Sequence, residues 1–329
     1  MQLANLAGPS ATHLPMLRAL ASLFFYTRFY TRFSRVGLRQ RQRAWPAYPE
    51  QLDGQTWLVT GASGGIGAAI ARLAHARGAR VLAAARSREK LMQLQGAGGT
   101  GRLQLLPADF ASIGDTRRLV QELRARGERI DVLVNNVGVL QDRFERTPEG
   151  LESSFATNLL SHFVLTEGLR AAGLFARDAA VINMSSGGMY GAPLRLSEMN
   201  APSAAEHDGM AAYAMHKRAQ VELTRAWNQR WEGQPRVYVM HPGWVDTAGV
   251  QTALPLFRAT LKRSLRNAEE GADTAFWLGS TRPPLTQDGG IWLDRVRDPE
   301  HAFALTRKTA ATAAQLHDFL AAQAASITR

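Results

Sequence analysis

Thr60-Gly61-Ala62-Ser63-Gly64-Gly65-Ile66-Gly67 follows a short apolar run, Trp57-Leu58-Val59, and leads into Ile66, Ile70 and Leu73 at helical spacing. The run reads as a strand. The segment after the glycines, with Ala68, Ala69 and Ala71 as strong helix formers, reads as a helix. Glycines at such a junction let bare backbone N–H groups approach a ligand, and a helix N-terminus favours a pyrophosphate. A second strand at Arg80–Ala85 completes a βαβ unit, the context in which a glycine loop points to dinucleotide binding rather than to an ordinary tight turn. The spacing is Gly61-x3-Gly65-x-Gly67, which departs from the usual Gly-x-Gly-x-x-Gly.

Working outward, strands are expected at Thr56–Thr60, Arg80–Ala85, Leu103–Pro107, Ile130–Asn135, Ala180–Met184, Arg236–Met240 and Gly290–Leu293. Helices are expected at Gly67–Arg77, Asp115–Arg126, Leu151–Ala172, Ala212–Trp231 and Ala268–Leu278. This alternation predicts an α/β fold: one doubly wound parallel sheet of about seven strands with helices on both faces. The expected organisation is an N-terminal arm and linker, 1–50, and one Rossmann-type domain, 51–329.

The 329 residues suffice for a full core, and the composition, 45% hydrophobic and 20% charged, is that of a globular protein. There is no cysteine, which excludes disulfides, thiolate metal sites and a cysteine nucleophile. Residues 1–50 hold seven arginines against one glutamate, so +6 of the net +11 sits there and +5 is spread over the rest. A basic face for nucleic acid is therefore not expected; a basic arm is. Within the arm, Phe25, Phe29, Phe33 and Val36 form one stripe of a helix, and Arg28, Arg32, Arg35 and Arg39 form another beside it. Two alternatives follow. The arm packs on its own domain or a second subunit, or it makes peripheral contact with a membrane through residues 14–43, where Phe24, Phe25 and Tyr26 add aromatic surface. Trp45-Pro46-Ala47-Tyr48-Pro49 reads as a linker. No apolar run reaches the roughly 18 residues of a spanning helix, so the expected location is cytoplasmic or peripheral to a membrane.

Candidate chemistry lies at the ends of the strands. Arg86 follows the second strand, and no Asp or Glu occurs between Val81 and Arg88. A guanidinium there suits a 2′-phosphate, which favours NADP(H) over NAD(H); a water-facing arginine is the alternative. Asp109 and the Phe110 N–H are placed to meet an adenine; Asp115 is the better-placed cap for the next helix. Asn135-Asn136-Val137-Gly138 ends the fourth strand, where paired amides can clamp backbone and ribose. Ser185-Ser186 ends the fifth, where a hydroxyl can hold a substrate oxygen. Tyr213 and Lys217 stand four apart on one helical face. A cation beside a phenol, whose ordinary pKa is about 10, favours the phenolate and fits it for proton transfer near neutral pH. With six tyrosines and only four lysines in the chain, chance supplies about 0.07 such pairs. No metal is expected, because phenol and hydroxyl provide the polarisation.

In this order the motifs resemble the short-chain dehydrogenase/reductase family over about residues 54–295. Thr60–Gly67 matches Thr-Gly-x3-Gly-x-Gly, Asn135–Gly138 matches Asn-Asn-Ala-Gly with Val137 for the alanine, and Pro242-Gly243-x3-Thr247 follows the last of them. Ser185–Met189, His241–Trp244 and Gly271–Thr274 resemble the retinol-dehydrogenase-like branch and its member-12 group. The resemblance implies Tyr213 as general acid/base, Ser186 holding the substrate oxygen, and Lys217 holding a ribose and lowering the tyrosine pKa. Asn158 would position a water that relays protons to Lys217. It implies cofactor contacts at Thr60, Gly61, Ser63, Gly65, Ile66, Gly67, Val137, Gly138, Tyr213, Lys217, Pro242 and Gly243, with Asn135, Val245 and Thr247 at the nicotinamide half. The partner expected is a small apolar carbonyl or alcohol, with a homo-oligomer left open. Met189, Tyr190, Leu194, Leu196, Met199, Met210 and Trp244, mostly in a substrate loop at 189–210, are the apolar residues expected near it. The rival reading is a non-catalytic dinucleotide sensor or docked scaffold on the same fold.

Overall fold

In the computed structural model, which describes residues 27–94, 100–285, 290–307 and 309–327, strand β1 (Thr56–Thr60) is buried along its whole length. Beside it lie β2 (Arg80–Ala85), β3 (Leu103–Pro107), β4 (Ile130–Asn135), β5 (Phe175–Met184), β6 (Arg236–Met240), β7 (Ile291–Leu293) and β8 (Val296–Asp298). They form one sheet in the order β3-β2-β1-β4-β5-β6-β7-β8, parallel except for the antiparallel β7–β8 pair. Chain direction along the sheet reverses between β1 and β4, the switch point at which open α/β sheets bind ligands beyond their carboxyl ends.

The helices are α1 (residues 27–33), α2 (Arg35–Arg41), α3 (Gly65–His75), α4 (Arg88–Met92), α5 (Ile113–Ala125), α6 (Ser153–Phe155), α7 (Ser161–Ala171), α8 (Gly209–Arg230), α9 (Ala248–Ala253), α10 (Pro255–Leu261), α11 (Ala268–Thr281) and α12 (Ala313–Ser326). Apolar residues of α3 and α11 pack on one face of the sheet. Those of α5, α7, α8 and α12 pack on the other. The eighth strand and α12 lie beyond the elements expected; the Thr312/Gln315 capping box that starts α12 is the signal that marks it in the sequence. The helix expected over 151–172 is interrupted by a π-helical turn, Ala156–Leu160. The cap of α5 is Ser112, whose hydroxyl accepts from Asp115 N, not Asp115 itself.

The arm is laid on the domain from residue 27 onward. A bend at Ser34 separates α1 from α2, so Val36 is turned to solvent, 55% exposed, while Phe29 and Phe33 are buried. Their rings stack at 4.5 Å, and Phe33 lies edge-on to His241 at 4.6 Å. Trp244 N donates to Phe33 O at 2.9 Å. Half of the arginine stripe also faces protein: Arg35 pairs with Glu270 and Arg32 with Asp298, while Arg28 and Arg39 are exposed. The proline-rich stretch is docked as well. The Arg295 guanidinium lies 4.4 Å from the Trp45 and Tyr48 ring centres and donates to Pro46 O. Phe24, Phe25 and Tyr26, like all of residues 1–26, lie outside the described residues. Among the described residues no helix is long and apolar enough to cross a membrane.

Asp294 is the anchor of this docking. It is 1% exposed and accepts two hydrogen bonds from buried Arg266, at 2.6 and 3.0 Å, and one from Arg41 Nε at 2.8 Å. With Arg295 it forms the two-residue turn of the β7–β8 hairpin, both at positive φ (52° and 61°), as that turn demands. Removing the carboxylate strands a buried guanidinium, which typically costs about 3–5 kcal/mol. Urea unfolding of Asp294→Ala is expected to show a loss of that size, whereas Arg35→Ala, whose pair is partly solvated, is expected to lose about 1 kcal/mol or less. Equal small losses in both would contradict the anchor.

Candidate active site

The loop after β1 has the room its glycines suggest. Gly61 and Gly65 take positive φ, 66° and 52°. A Cβ on Gly67 would sit 2.4 Å from Gly61 O, so the loop closes on its own helix only because that carbon is missing. On the outer side, a Cβ on Gly64 would meet nothing within 4 Å, and one on Gly65 only the Thr247 methyl at 3.9 Å. This open face above the start of α3 fits a pyrophosphate. Asn136 braces the loop from below by donating to Thr60 O at 2.8 Å. Thr60 itself is buried, its hydroxyl donating to Val134 O and accepting from Asn136 N and Val137 N.

Ser186, Tyr213 and Lys217 meet at the carboxyl ends of β5 and β6. Of the paired serines, Ser185 turns inward, donating to Lys217 O at 2.7 Å, and Ser186 is half-buried at the cleft, where its hydroxyl acts on the Tyr213 phenol in favour of the phenolate. Asp208 caps α8 and so fixes where the helix that carries Tyr213 begins. The Lys217 amine donates to Met184 O at 2.7 Å and lies 5.6 Å from the centre of the Tyr213 ring. A Cβ on Gly138 would be 3.3 Å from Asn158 Oδ1 and 3.4 Å from Lys217 Nζ, so these three groups share one spot. Burial pulls the Lys217 amine down to about 7. Burial pushes the Tyr213 phenol up, against the opposing effect of the Ser186 hydroxyl. The lowering expected from Lys217 requires the charged form of an amine that is itself desolvated.

Other expected residues divide between the cleft and the interior. Arg86 is exposed at the end of β2. Asp109 Oδ1 accepts from Ala111 N, and its own N–H donates to Asp115 Oδ2; Phe110 is a core residue. Ile66 and Val245 approach each other across Gly271. Gly243 takes positive φ, 75°, with Arg266 and Phe33 O where a Cβ would stand, and Pro242 O accepts from Arg266. The Thr247 hydroxyl caps α9. Asn135 does not face the cleft: its buried amide donates to Thr166 and Asn183. Met189, Tyr190, Leu194 and Met199 are at most 2% exposed and belong to the core, not to a substrate wall. Gln220 and His162 are site-building residues to which the motifs do not point.

A sequence profile described as "short chain dehydrogenase" matches residues 55–255. The chain is similar to human dehydrogenase/reductase SDR family member 12, 34% identical over 246 residues that cover 73% of this chain and 76% of the relative. It is also similar to mouse retinol dehydrogenase 14, 32% identical over 268 residues, 75% of this chain and 79% of that one. Among solved structures it is similar to one ascribed to an NAD(P)-dependent gluconate 5-dehydrogenase from Beutenbergia cavernae with NADP bound at low occupancy. That match has a TM-score of 0.54 and 29% identity and covers 70% of this chain and 92% of the other.

Three buried imidazoles around the site stay neutral. Burial, with the charge of Lys217, takes His162 down to about 3; burial takes His216 to about 4 and His241 well below its ordinary value. Each is a base whose folded pKa is depressed, so the unfolded chain takes up protons first as pH falls below about 6.5. Stability is thus full above that pH and drops by about 1.4 kcal/mol per imidazole per pH unit below it, towards each folded value. Denaturant unfolding between pH 6.5 and 4.5 is expected to show this slope, and His241→Phe a shallower one. Identical slopes would place His241 outside the titration.

Proposed function

Since the chain belongs to the short-chain dehydrogenase family, we propose that it is an oxidoreductase that moves a hydride between NADP(H), in preference to NAD(H), and an apolar carbonyl or alcohol, with Tyr213 as general acid/base. The observation that best supports this is the desolvated Lys217 amine 5.6 Å from the centre of the Tyr213 ring, with Ser186 acting on the same phenol, at the sheet edge next to the open glycine loop. A nicotinamide cofactor, when bound, supplies or accepts the hydride. In the reducing direction the Tyr213 phenol gives its proton to the carbonyl oxygen as that oxygen gains charge. The Ser186 hydroxyl donates to the same oxygen and helps to fix it. Lys217 keeps a donor free of Met184 O for a ribose hydroxyl, and its charge steadies the phenolate left behind. The raised phenol pKa keeps Tyr213 in its proton-donating form at neutral pH.

The preference for NADP(H) rests on exposed Arg86, with no acidic residue beside it, and on the NADP in a similar solved structure. The apolar substrate rests on a relative named for retinol and on helices α9 and α10 beyond Thr247. Neither helix has a buried residue, and Leu256 is 80% exposed. Asp109 and Phe110 N–H serve the adenine, Val245 and Thr247 the nicotinamide half.

A panel of apolar aldehydes and alcohols, followed by nicotinamide absorbance with both cofactors, tests the activity. Tyr213→Phe is expected to keep cofactor affinity and lose about 10²–10⁴-fold in kcat; wild-type kcat would remove Tyr213 from its role. Cofactor binding with no turnover of any panel member would favour the dinucleotide sensor. In fluorescence titrations Arg86→Ala is expected to weaken NADPH by about 1.5–3 kcal/mol and leave NADH unchanged. Equal losses for both would assign Arg86 elsewhere.

A further inference from the structure

Gln220 lies three residues beyond Lys217 on α8 and is 1% exposed. Both ends of its amide are engaged. Oε1 accepts from Lys217 Nζ at 3.4 Å; Nε2 donates to Asn158 O at 2.8 Å and lies 3.0 Å from His162 Nδ1. The other nitrogen of His162, Nε2, is 2.9 Å from Val137 O, which can only accept. His162 Nε2 therefore carries the proton, and Nδ1 is left as an acceptor. Two acceptors, Asn158 O and His162 Nδ1, then face the Gln220 nitrogen, so its oxygen must face the lysine. Asn158 is held in turn: its side chain accepts from Val139 N at 2.7 Å and donates to Val139 O at 2.8 Å. One hydrogen-bonded chain thus runs from Lys217 through Gln220 to the π-helical turn, to α7 and to the loop after β4.

We propose that Gln220, oriented by His162, is a positioning residue that aims the Lys217 amine and ties it to Asn158 through protein alone. The catalytic consequence rests on the reading of Tyr213 and Lys217 given above; control of the lysine's protonation by Gln220 does not. Met184 O and Gln220 Oε1 are the acceptors that hold the ammonium form. The titratable groups around it are Tyr213 and His216 on its own helix and His162 on α7, with Glu152, at the start of α6, acting on His216. Among the described residues no carboxylate pairs with Lys217, and burial is the cause of its shift to about 7. Loss of the Gln220 carbonyl therefore favours the neutral amine, and a carboxylate in its place favours the ammonium.

The chain has only four lysines, at 90, 217, 262 and 308, so ¹³Cε-lysine NMR of the whole protein reads Lys217 directly, assigned by the signal lost in Lys217→Arg. The wild-type signal is expected to titrate near 7. Gln220→Leu is expected to move the midpoint down by about one unit and Gln220→Glu to move it up by at least as much. His162→Phe, which frees the amide to turn, is expected to move it down by less. The alkaline limb of the reductase pH profile should follow each shift, which a merely structural residue would not cause. Midpoints equal to wild type in Q220L and Q220E would overturn the inference; should Q220L not fold, the shift in Q220E alone decides. If the lysine signal moves while Tyr213→Phe keeps full turnover, the functional reading fails and the control of Lys217 by Gln220 stands.

Discussion

A lysine amine cut off from water is the constraint around which this site is built. Desolvation pulls its pKa from the ordinary lysine range down to about 7, so its charge depends on the few acceptors that reach it. They come from different elements: Met184 O from the end of β5 and Gln220 Oε1 from α8. Both elements must therefore be locked together. Ser185 bonds the Lys217 carbonyl, and a buried amide ladder runs across the sheet from Asn135 through Asn183 to Thr224 on α8. Asn135, expected in the cofactor cleft, acts here instead, one layer beneath it. Buried polar groups of this kind are costly unless paired, and once paired they fix one geometry.

The second support comes from the arm. Phe33 meets both loops at the site: its ring lies where a Cβ on Gly187 would be, 2.9 Å away, and its carbonyl takes the Trp244 N–H. Gly187 follows Ser186, and Trp244 precedes Val245 and Thr247. The arm is therefore the back wall of the loops that carry the expected substrate and nicotinamide contacts. Arm and domain together hold the turn at Asp294 and Arg295: Arg41 of the arm and Arg266 clamp the first residue, and Asp273 with the Trp45 and Tyr48 rings of the arm the second. Of the six arginines from residue 27 to 43, Arg32, Arg35 and Arg41 pair with carboxylates of the domain, and Arg28, Arg39 and Arg43 are exposed.

The sheet was legible because its signals are local. Apolar runs such as Trp57–Val59 and Ala180–Met184 are long enough to be strands buried on both faces, and glycines mark the turn that a ligand needs. Tyr213 and Lys217 were legible because four residues on a helix are neighbours. What spacing does not tell is what covers a face. Phe29 and Phe33 share a stripe with Val36 on paper, but the bend at Ser34 parts them, and the partners, Tyr190 and His241, lie more than 150 residues away. Met189, Tyr190, Leu194 and Met199 carry no mark that separates core from substrate wall. Gln220 and His162 look like ordinary polar positions until α7 and α8 are side by side. β8 is three residues with two charges, too short to show a period.

The central claim is that this cleft passes hydride directly between nicotinamide and a carbonyl carbon while Tyr213 handles the proton. The most direct measurement is the fate of label from NADPH deuterated on the transferred face of the nicotinamide C4, with an apolar aldehyde substrate, read by mass spectrometry and NMR of the alcohol. The account predicts deuterium on the carbinol carbon, and, when unlabelled NADPH is used in D₂O, deuterium only at the exchangeable hydroxyl. Deuterium lost to water, or solvent deuterium on the carbinol carbon, would contradict it.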